Sequence, residues 1–497
     1  MYSYYNKLII SLFLILLSYI NMPTFAANAN DYDNMIWNIE HNTFLKRLEK
    51  NEKLFTKDKQ KVIDGSIALS FDYELVYTNL QDCIIAALDN NYDIKIQAMK
   101  KQTAYHEYKA KLAEFLPNLY YNFMIANIKG TYLVGEILPV KLNEIPIESH
   151  YGVKWSTYNQ GKVIFESRAL KNNLKAQYNK LNFTKDEIIL NTALAYYDLL
   201  GNKLQIEVLK INLVEREEQL RYTKTLYDIG DGTRFDVLRA EVEVALAQKE
   251  LNDSLKNLRL KQAKLANIMG IDVTASIYPS ELFIDTVKVV NSQCEIEELY
   301  TNAMVNRKDI AEKKALIKAL EEEKKVVYSE FLPNFTLQYE RANVGTARLG
   351  LRQNDTLYFN IEIPIGQNLG IGTYQHLKSY EAKIRQAKFE LTNLKRNIKE
   401  NIINSYYESE TNLKNIEVNK KEIEAADESL RNAMARMMIG EATFLDVLNA
   451  QKDKTQARIT FISNIIDYNK SQVQLLFDAG AISTNAVLAN YIVPPTP

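Results

Sequence analysis

The spacing of apolar residues changes from a helical period to strict alternation at two places in the chain. After Pro117, and again after Pro333, apolar and polar residues alternate one by one. Alternation over about ten residues is typical of a strand with one apolar and one wet face. Each alternating segment is followed by a returning one, which predicts hairpins over 118–157 and 334–365. The alternating apolar residues are Leu119, Tyr121, Phe123, Ile125, Tyr151, Val153 and Trp155, then Phe335, Leu337, Tyr339, Leu357, Phe359, Ile361 and Ile363.

These hairpins fit two environments. Strands of this length with aromatic residues match a membrane β-barrel, whereas a soluble hairpin would pack its apolar face on the helices. Four strands in one chain cannot close a barrel, because small closed barrels need about eight. An open sheet edge is not tolerated in lipid. If the hairpins lie in a membrane, several chains must share one barrel, and their helices must form a multi-chain bundle or tube.

Helical segments flank both hairpins. Helices are predicted over 79–115 and 295–331, and each ends at a Leu-Pro step because the residue before proline is pushed out of the helical region. Their predicted capping boxes pair Thr78 with Gln81 and Ser292 with Glu295.

Long helices over 162–229 and 368–439 follow the hairpins, each on the order of 100 Å long if unbroken. They end near Gly230 and Gly440. The two shorter helices of each half together have about the length of the long helix, so we expect them to lie end to end beside it. The helices carry both apolar and charged faces. Such faces fit either a solvated coiled coil or the wall of a tube, with one wet face toward the lumen. The shorter helices after the glycines are predicted over 233–269 and 443–479.

The chain is predicted to contain one unit of roughly 200 residues written twice, and a period that long indicates duplication. The segment Glu114–Asn118 returns unchanged as Glu330–Asn334. We therefore expect repeat 1 over 72–285, repeat 2 over 286–482 and a tail over 483–497. A second matching set is Gly230, Thr233, Asp236, Val237, Leu238 and Ala240 with Gly440, Thr443, Asp446, Val447, Leu448 and Ala450.

The composition and the N-terminal segment limit which cellular compartment and which kinds of partner are expected for this chain. The chain has 61 basic and 62 acidic residues, so no nucleic-acid partner is expected. The apolar run over 8–20 is too short to cross a bilayer but is typical of a signal peptide. We expect cleavage after Ala26 or Ala29, hence a signal peptide over 1–26 and an extension over 27–71 with no assigned activity. An uncleaved N-terminal anchor helix is the alternative.

No pattern for catalysis, cofactor or metal binding stands out in the sequence, so we expect a protein that is not an enzyme. The glycine-rich segments 230–232 and 366–372 lack the lysine and hydroxyl residue of a phosphate loop. Cys83 and Cys294 are too few for a usual zinc site and are interpreted as ordinary helix residues. The histidines, which lack metal-ligand spacing, are His41, His106, His150 and His376.

In the order of its motifs, the chain resembles the TolC-type outer-membrane efflux and secretion channels, the outer membrane factors. The shared motifs are Leu-Pro-Asn at the helix-to-strand corner, a glycine turn before Asp-Val-Leu, and the segments 90–94 and 306–310. The similarity covers about residues 72–482. The family usually has proline before the aspartate of those segments, where this chain has Tyr92 and Lys308.

The resemblance implies a mainly α fold with a transmembrane β part. In it, a homotrimer shares a twelve-stranded β-barrel in the outer membrane, continued into the periplasm by a long α-helical barrel. It implies the passive exit duct of a tripartite drug-efflux or type I protein-secretion system. The expected partners are outer-membrane lipid, a periplasmic adaptor (membrane fusion) protein and an inner-membrane pump of RND or ABC type. The alternative is a periplasmic coiled-coil adaptor or scaffold.

The same resemblance places the functional tip at the two glycine turns. The adaptor would dock there, and charged residues nearby would constrict the tunnel. Two positions that complete the family's gate network carry Met437 and Ala442 here, so this chain lacks the usual tyrosine and arginine. The expected docking residues are Ile229, Gly230, Ile439 and Gly440, and the expected constriction residues are Asp236, Asp446 and Arg234.

The two aspartates also have a structural interpretation. Thr233 with Asp236, and Thr443 with Asp446, each fit a capping box at the start of a helix. The helix dipole favours an acid in the first turn. Capping and gating are compatible roles.

Overall fold

A computed structural model describes residues 75–134, 138–156, 159–281, 286–287, 295–346, 350–364 and 369–488, all within one compact unit over 73–497. The predicted signal peptide and the extension over 27–71 lie outside the described residues, as do Ser292, Cys294 and the tail from 489 onward. Of the helices that the structure describes, none combines the length and the apolar character needed to cross a membrane.

Helices make up most of the described chain. The two long helices lie within three residues of their predicted ends. The helices are α1 (Leu80–Asn90), α2 (Tyr92–Ala113), α3 (Lys162–Asp228), α4 (Arg234–Met269), α5 (Ile296–Asn306), α6 (Lys308–Tyr328), α7 (Ile371–Met438), α8 (Phe444–Asp478) and α9 (Thr484–Leu488).

The shorter helices lie beside the long ones, as expected. Helix α3 packs against α1, α2 and α4, and α7 packs in the same way against α5, α6 and α8. Contacts of α3 with α6 and α8 join the two halves. Tyr196 and Leu199 on α3 and Leu265 on α4 are among the most deeply buried side chains.

The segments predicted as single helices over 79–115 and 295–331 are each two helices, which corrects the prediction. The backbone leaves the helical region at Asn91 and Arg307, where ψ is 130° and 127°. At the first break, Asn91 Oδ1 accepts hydrogen bonds from the backbone N–H groups of Asp93 at 2.8 Å and Ile94 at 3.4 Å. Such local side-chain bonds compete with the helix ladder and begin a new helix.

The predicted helix starts also need correction. Helix α1 is capped by Asn79 and not by Thr78, because Asn79 Oδ1 accepts the N–H of Asp82 at 2.8 Å. Helix α5 begins after Glu295, which makes no side-chain capping bond. Asparagine is at least as good an N-cap as threonine, so two adjacent candidates could not be ranked by pattern alone.

Both break residues anchor the shorter helices to one another. Asn91 Nδ2 donates to the carbonyl of Ile268 at 2.8 Å, in the last turn of α4. Arg307 Nη1 donates to the carbonyls of Asp478 at 3.2 Å and Phe477 at 3.4 Å, in the last turn of α8. The last carbonyls of a helix have no intrahelical donor, so these bonds satisfy groups that would otherwise lack partners.

Arg307 is buried and pairs with buried acids. Its guanidinium binds Asp309 through Nη2 at 2.8 Å and Nε at 3.2 Å, and Nη1 lies 3.7 Å from Oδ1 of Asp478. Its carbon Cζ lies 5.1 Å from the ring centre of Phe477 and 5.9 Å from that of Phe183. Burial raises the pKa of the Asp478 carboxyl above its usual range. A buried charge is tolerated here because each has an opposite partner.

The second predicted hairpin is confirmed, and the first is more elaborate than predicted. Strands β7 and β8 pair directly, whereas β2 and β5 pair with a further hairpin, β3–β4, between them. The strands are β1 (Leu75–Thr78), β2 (Asn118–Ile125), β3 (Ile128–Val134), β4 (Leu138–Glu144), β5 (Pro146–Ser156), β6 (Ser276–Pro279), β7 (Asn334–Thr346) and β8 (Gly350–Glu362).

The main sheet is antiparallel in the order β2-β5-β7-β8. It joins one hairpin from each half of the chain, because β5 and β7 pair from Pro146 with Thr346 to Ser156 with Thr336. A separate parallel pair, β1 with β6, connects the start of α1 to the end of α4.

Replacing Arg307 tests the buried anchor. Arg307→Met keeps much of the volume but leaves Asp309 and Asp478 without their cation. We expect the apparent free energy of unfolding to fall by about 3–5 kcal/mol, the range for breaking one side of a buried ion pair. Lys308→Met, at the exposed neighbouring position, should change it by less than about 0.5 kcal/mol. Denaturant unfolding followed by circular dichroism measures both, and equal losses would contradict the anchor.

Candidate functional site

Two tight turns connect the long helices to the helices that follow them. Gly230 has φ +89° and Gly440 has φ +77°. No neighbouring atom lies within 4 Å of a Cβ built at either position, so it is the backbone conformation that favours glycine. In both turns the N–H after the glycine returns to a carbonyl of the last helical turn. The two bonds are Asp231 N–H to Leu226 O at 2.9 Å and Glu441 N–H to Arg436 O at 2.8 Å.

The turns expose apolar side chains. The predicted docking residues Ile229 and Ile439 are 65% and 69% exposed. Phe235 and Met438, next to them, are also exposed, and the sequence patterns did not single them out. Both belong to helices with buried and exposed apolar residues, so their sequence alone carries no distinguishing signal. Clustered exposed apolar groups are typical of a protein contact surface.

Asp236 and Asp446 lie in the first turns of α4 and α8 and complete N-caps there. Thr443 N–H donates to Asp446 Oδ2 at 2.8 Å, and Asp446 N–H donates to Thr443 Oγ1 at 3.3 Å, which is a full capping box. At the first turn, Asp236 N–H donates to Thr233 Oγ1 at 3.2 Å. Hydrogen bonds from the hydroxyl and the N–H of Thr443 hold the pKa of Asp446 below its usual range.

The expected gate network is not assembled within one chain. Asp236 bonds to Thr233 in its own turn, and Arg234 makes no hydrogen bond or ion pair within the described ranges. Met437 packs on a small apolar cluster that includes Leu430 and Val447, so α7 and α8 meet there through apolar contact. The gating role of Asp236, Asp446 and Arg234 therefore stays a prediction.

A polar connection that the sequence patterns missed joins the two halves. Glu215 on α3 accepts from Gln451 Nε2 at 3.0 Å and lies 3.4 Å from Nζ of Lys454 on α8. The hydroxyl of Thr455 donates to Asn212 Oδ1 at 3.2 Å. These residues are too far apart in sequence for any spacing rule to pair them.

One face of the main sheet is apolar and open. Cross-strand pairing places Leu119, Val153, Tyr339 and Leu357 in one row. Leu119 is 80% exposed, and Leu357 and Phe359 are each 67% exposed. A hairpin packed on the helices would bury these side chains, so that alternative is wrong. An exposed apolar surface of this extent indicates contact with lipid or another protein.

A charged row crosses the apolar face. Arg341 on β7 binds Asp355 on β8 at 2.6 Å and 3.0 Å, and Tyr121 and Tyr151 continue the same row on β2 and β5. Apolar residues such as Phe123 lie on the far side of this row, so the row does not bound the apolar face. The opposite face carries polar groups such as Asn122, His150 and Glu340.

The main sheet has two free edges. In the part of the chain that the structure describes, β2 and β8 each have one neighbouring strand. An edge strand presents unpaired N–H and C=O groups that can pair with another chain. In the same described part, no group of three or more His, Cys, Asp or Glu residues is placed to hold a metal ion.

Solved structures share this fold. The Campylobacter jejuni CmeC outer membrane channel matches with a TM-score of 0.74 and 16% identity, covering 86% of this chain and 95% of that one. The outer membrane protein VceC of Vibrio cholerae matches with a TM-score of 0.71 and 18% identity, covering 81% and 96%. The chain thus shares the fold of a solved outer-membrane channel.

The chain belongs to the outer membrane efflux protein family, whose model matches residues 84–271 and 299–481. The outer membrane efflux protein BepC of Brucella suis biovar 1 (strain 1330) is 22% identical over 332 residues, which cover 65% of this chain and 71% of BepC. The family and its structural relatives are channels and not enzymes. The resemblance stated from the sequence motifs is therefore confirmed.

The capping box at α8 gives a test with a built-in control. Thr443→Ala should lower the apparent free energy of unfolding by about 1 kcal/mol, whereas Thr443→Ser keeps the hydroxyl and should keep most of the stability. Thermal melting of the purified protein measures both. Identical melting of the two variants would show that the hydroxyl has no capping role.

The same cap makes stability depend on pH. Because the folded pKa of Asp446 is depressed, its contribution is present above the unfolded pKa and is lost as the pH falls through the lower folded value. Asp446→Asn should therefore lower the melting temperature at neutral pH, and the difference from wild type should shrink below about pH 4. A difference that stays constant down to about pH 2 would contradict this assignment.

Proposed function

We propose that three copies of this chain form an outer-membrane channel that continues as a periplasmic tunnel. It serves as the passive exit duct of a tripartite drug-efflux or type I protein-secretion system. The observation that carries the proposal is the open four-stranded sheet, whose exposed apolar face and two unpaired edges are unsuited to a lone chain in either water or lipid.

The directions of the edge strands support closure of a β-barrel by identical copies of the sheet. In the antiparallel order β2-β5-β7-β8, the two edge strands run in opposite directions. Strand β8 of one copy can therefore pair with β2 of the next in the same antiparallel sense. Two copies would give about eight strands, whose interior is filled by side chains, whereas three give twelve and room for a duct.

The helices then form the periplasmic part. In the proposed trimer, the apolar face of the sheet meets outer-membrane lipid and the polar face lines the pore. The two halves of the chain, 72–285 and 286–482, contribute equivalent helix pairs as duplicated units. The exposed turns at Ile229-Gly230 and Ile439-Gly440 suit docking of a periplasmic adaptor, which links the duct to an inner-membrane pump of RND or ABC type.

Charges on the apolar face test the membrane assignment. Leu337→Lys and Phe359→Lys face the proposed lipid, where a central lysine costs about 2–4 kcal/mol. We expect loss of the heat-modifiable trimer in detergent and of recovery in outer-membrane fractions. Asn360→Lys, on the polar face beside Phe359, is the matched control and should retain both. Recovery of the wild type as a soluble periplasmic monomer would refute the proposal and favour the adaptor or scaffold alternative.

Conductance separates gating from capping at the tip. If Asp236 and Asp446 constrict the tunnel, Asp236→Ala and Asp446→Ala should raise single-channel conductance in planar bilayers. Thr443→Ala, which weakens the same cap without removing the carboxylate, should leave conductance near the wild-type value. Unchanged conductance in both aspartate variants, together with lower melting temperatures, would assign them to capping alone.

A further inference from the structure

His150 lies between two carboxylates on the polar face of the main sheet. Its Nδ1 is 2.8 Å from Glu340 Oε1 on β7, and its Nε2 is 3.4 Å from Glu148 Oε2 on its own strand. The three side chains are 20–30% exposed. Glu340 is held by two further groups. Tyr120 OH donates to Glu340 Oε2 at 2.7 Å, and Gln338 Nε2 donates to the same oxygen at 3.1 Å.

The protonation state of His150 decides how many of its carboxylate contacts are hydrogen bonds. A neutral imidazole has a single N–H, whereas the imidazolium has two. With both glutamates ionised, the two contacts are both attractive only when the ring is charged. Loss of the proton leaves one nitrogen lone pair facing a carboxylate. The longer contact, to Glu148, is the one that loses its donor, because Glu340 has other donors that fix it in place.

Few other charged side chains lie near His150 on the polar face of the sheet. The directly paired neighbours of His150 are Asn122 on β2 and Ala342 on β7, and neither is charged. On the same face, the nearest other charged positions are Lys154 on β5 and Arg352 on β8, which is paired with Val344. Tyr120 is the titratable group contributed by β2. The charge of this cluster therefore depends on His150 itself.

We propose that His150, together with Glu148 and Glu340, sets the ion preference of the barrel interior and makes that preference depend on pH. This proposal rests on the trimeric channel proposed above, in which the polar face lines the pore. The cluster carries one net negative charge per chain when the ring is protonated and two when it is neutral. Three copies form a belt whose negative charge doubles as the pH rises through the titration of the ring. A belt of one sign concentrates the opposite ion in a confined space.

Reversal potentials test the proposal. The wild-type protein is placed in planar bilayers under a KCl gradient, and the K⁺ over Cl⁻ permeability ratio is measured from about pH 5 to about pH 8.5, across the usual titration range of imidazole. We expect the ratio to rise roughly twofold or more. His150→Gln should hold the ratio at the high-pH wild-type value throughout. His106→Gln, an exposed position on α2, is the matched control and should behave like wild type.

A second variant keeps the test open if His150→Gln does not assemble. Glu148→Gln removes one charge but leaves the imidazole, so the ratio at high pH should fall while the pH response remains. A wild-type ratio that is flat across the pH range, or a response that survives in His150→Gln, overturns the role of His150. Absence of any channel activity from the wild type would instead count against the trimeric channel itself, so the two failures are distinguishable.

Discussion

Every backbone N–H and C=O group that lies in hydrocarbon must find its hydrogen-bond partner inside the protein, and this requirement governs the β-sheet. Among the described residues, β5 and β7 are paired on both sides, whereas β2 and β8 are paired on one side only. The exposed apolar face of the same strands makes water an equally poor environment. In the proposed trimer, pairing of β8 with β2 of the next copy satisfies the sheet edges, and lipid covers the apolar face. The proposed assembly is thus a consequence of unsatisfied sheet edges.

The two halves of the chain anchor their helix breaks with different side chains. At each helix break a side chain reaches the last carbonyls of a neighbouring helix, yet one half uses the neutral amide of Asn91 and the other the guanidinium of Arg307. The guanidinium brings two acids, Asp309 and Asp478, into the core with it. The two breaks are therefore anchored by different side chains, one neutral and one charged.

At the tips, the contacts that Asp446 makes within one chain are local. Asp446 contacts the residues of its own helix cap. Polar contacts between the two halves are made away from the turns, by Glu215 with Gln451 and Lys454. Met437 and Ala442, where the family's gate usually has tyrosine and arginine, leave apolar contact as the link between α7 and α8 at the tip. The constricting role of Asp236, Asp446 and Arg234 stays a prediction.

The sequence by itself determined the positions of the long helices, the glycine turns, the caps at Thr233 and Thr443, and the strands of the main sheet with their apolar face. All of these follow from local chemistry: periodicity, proline, glycine and the short reach of threonine and aspartate. The tertiary structure decided the breaks at Asn91 and Arg307, the β3–β4 excursion, the Glu215 connection and the setting of His150 between Glu148 and Glu340. Most of these depend on which side chains the fold brings together from distant segments, and spacing along the chain carries no record of that.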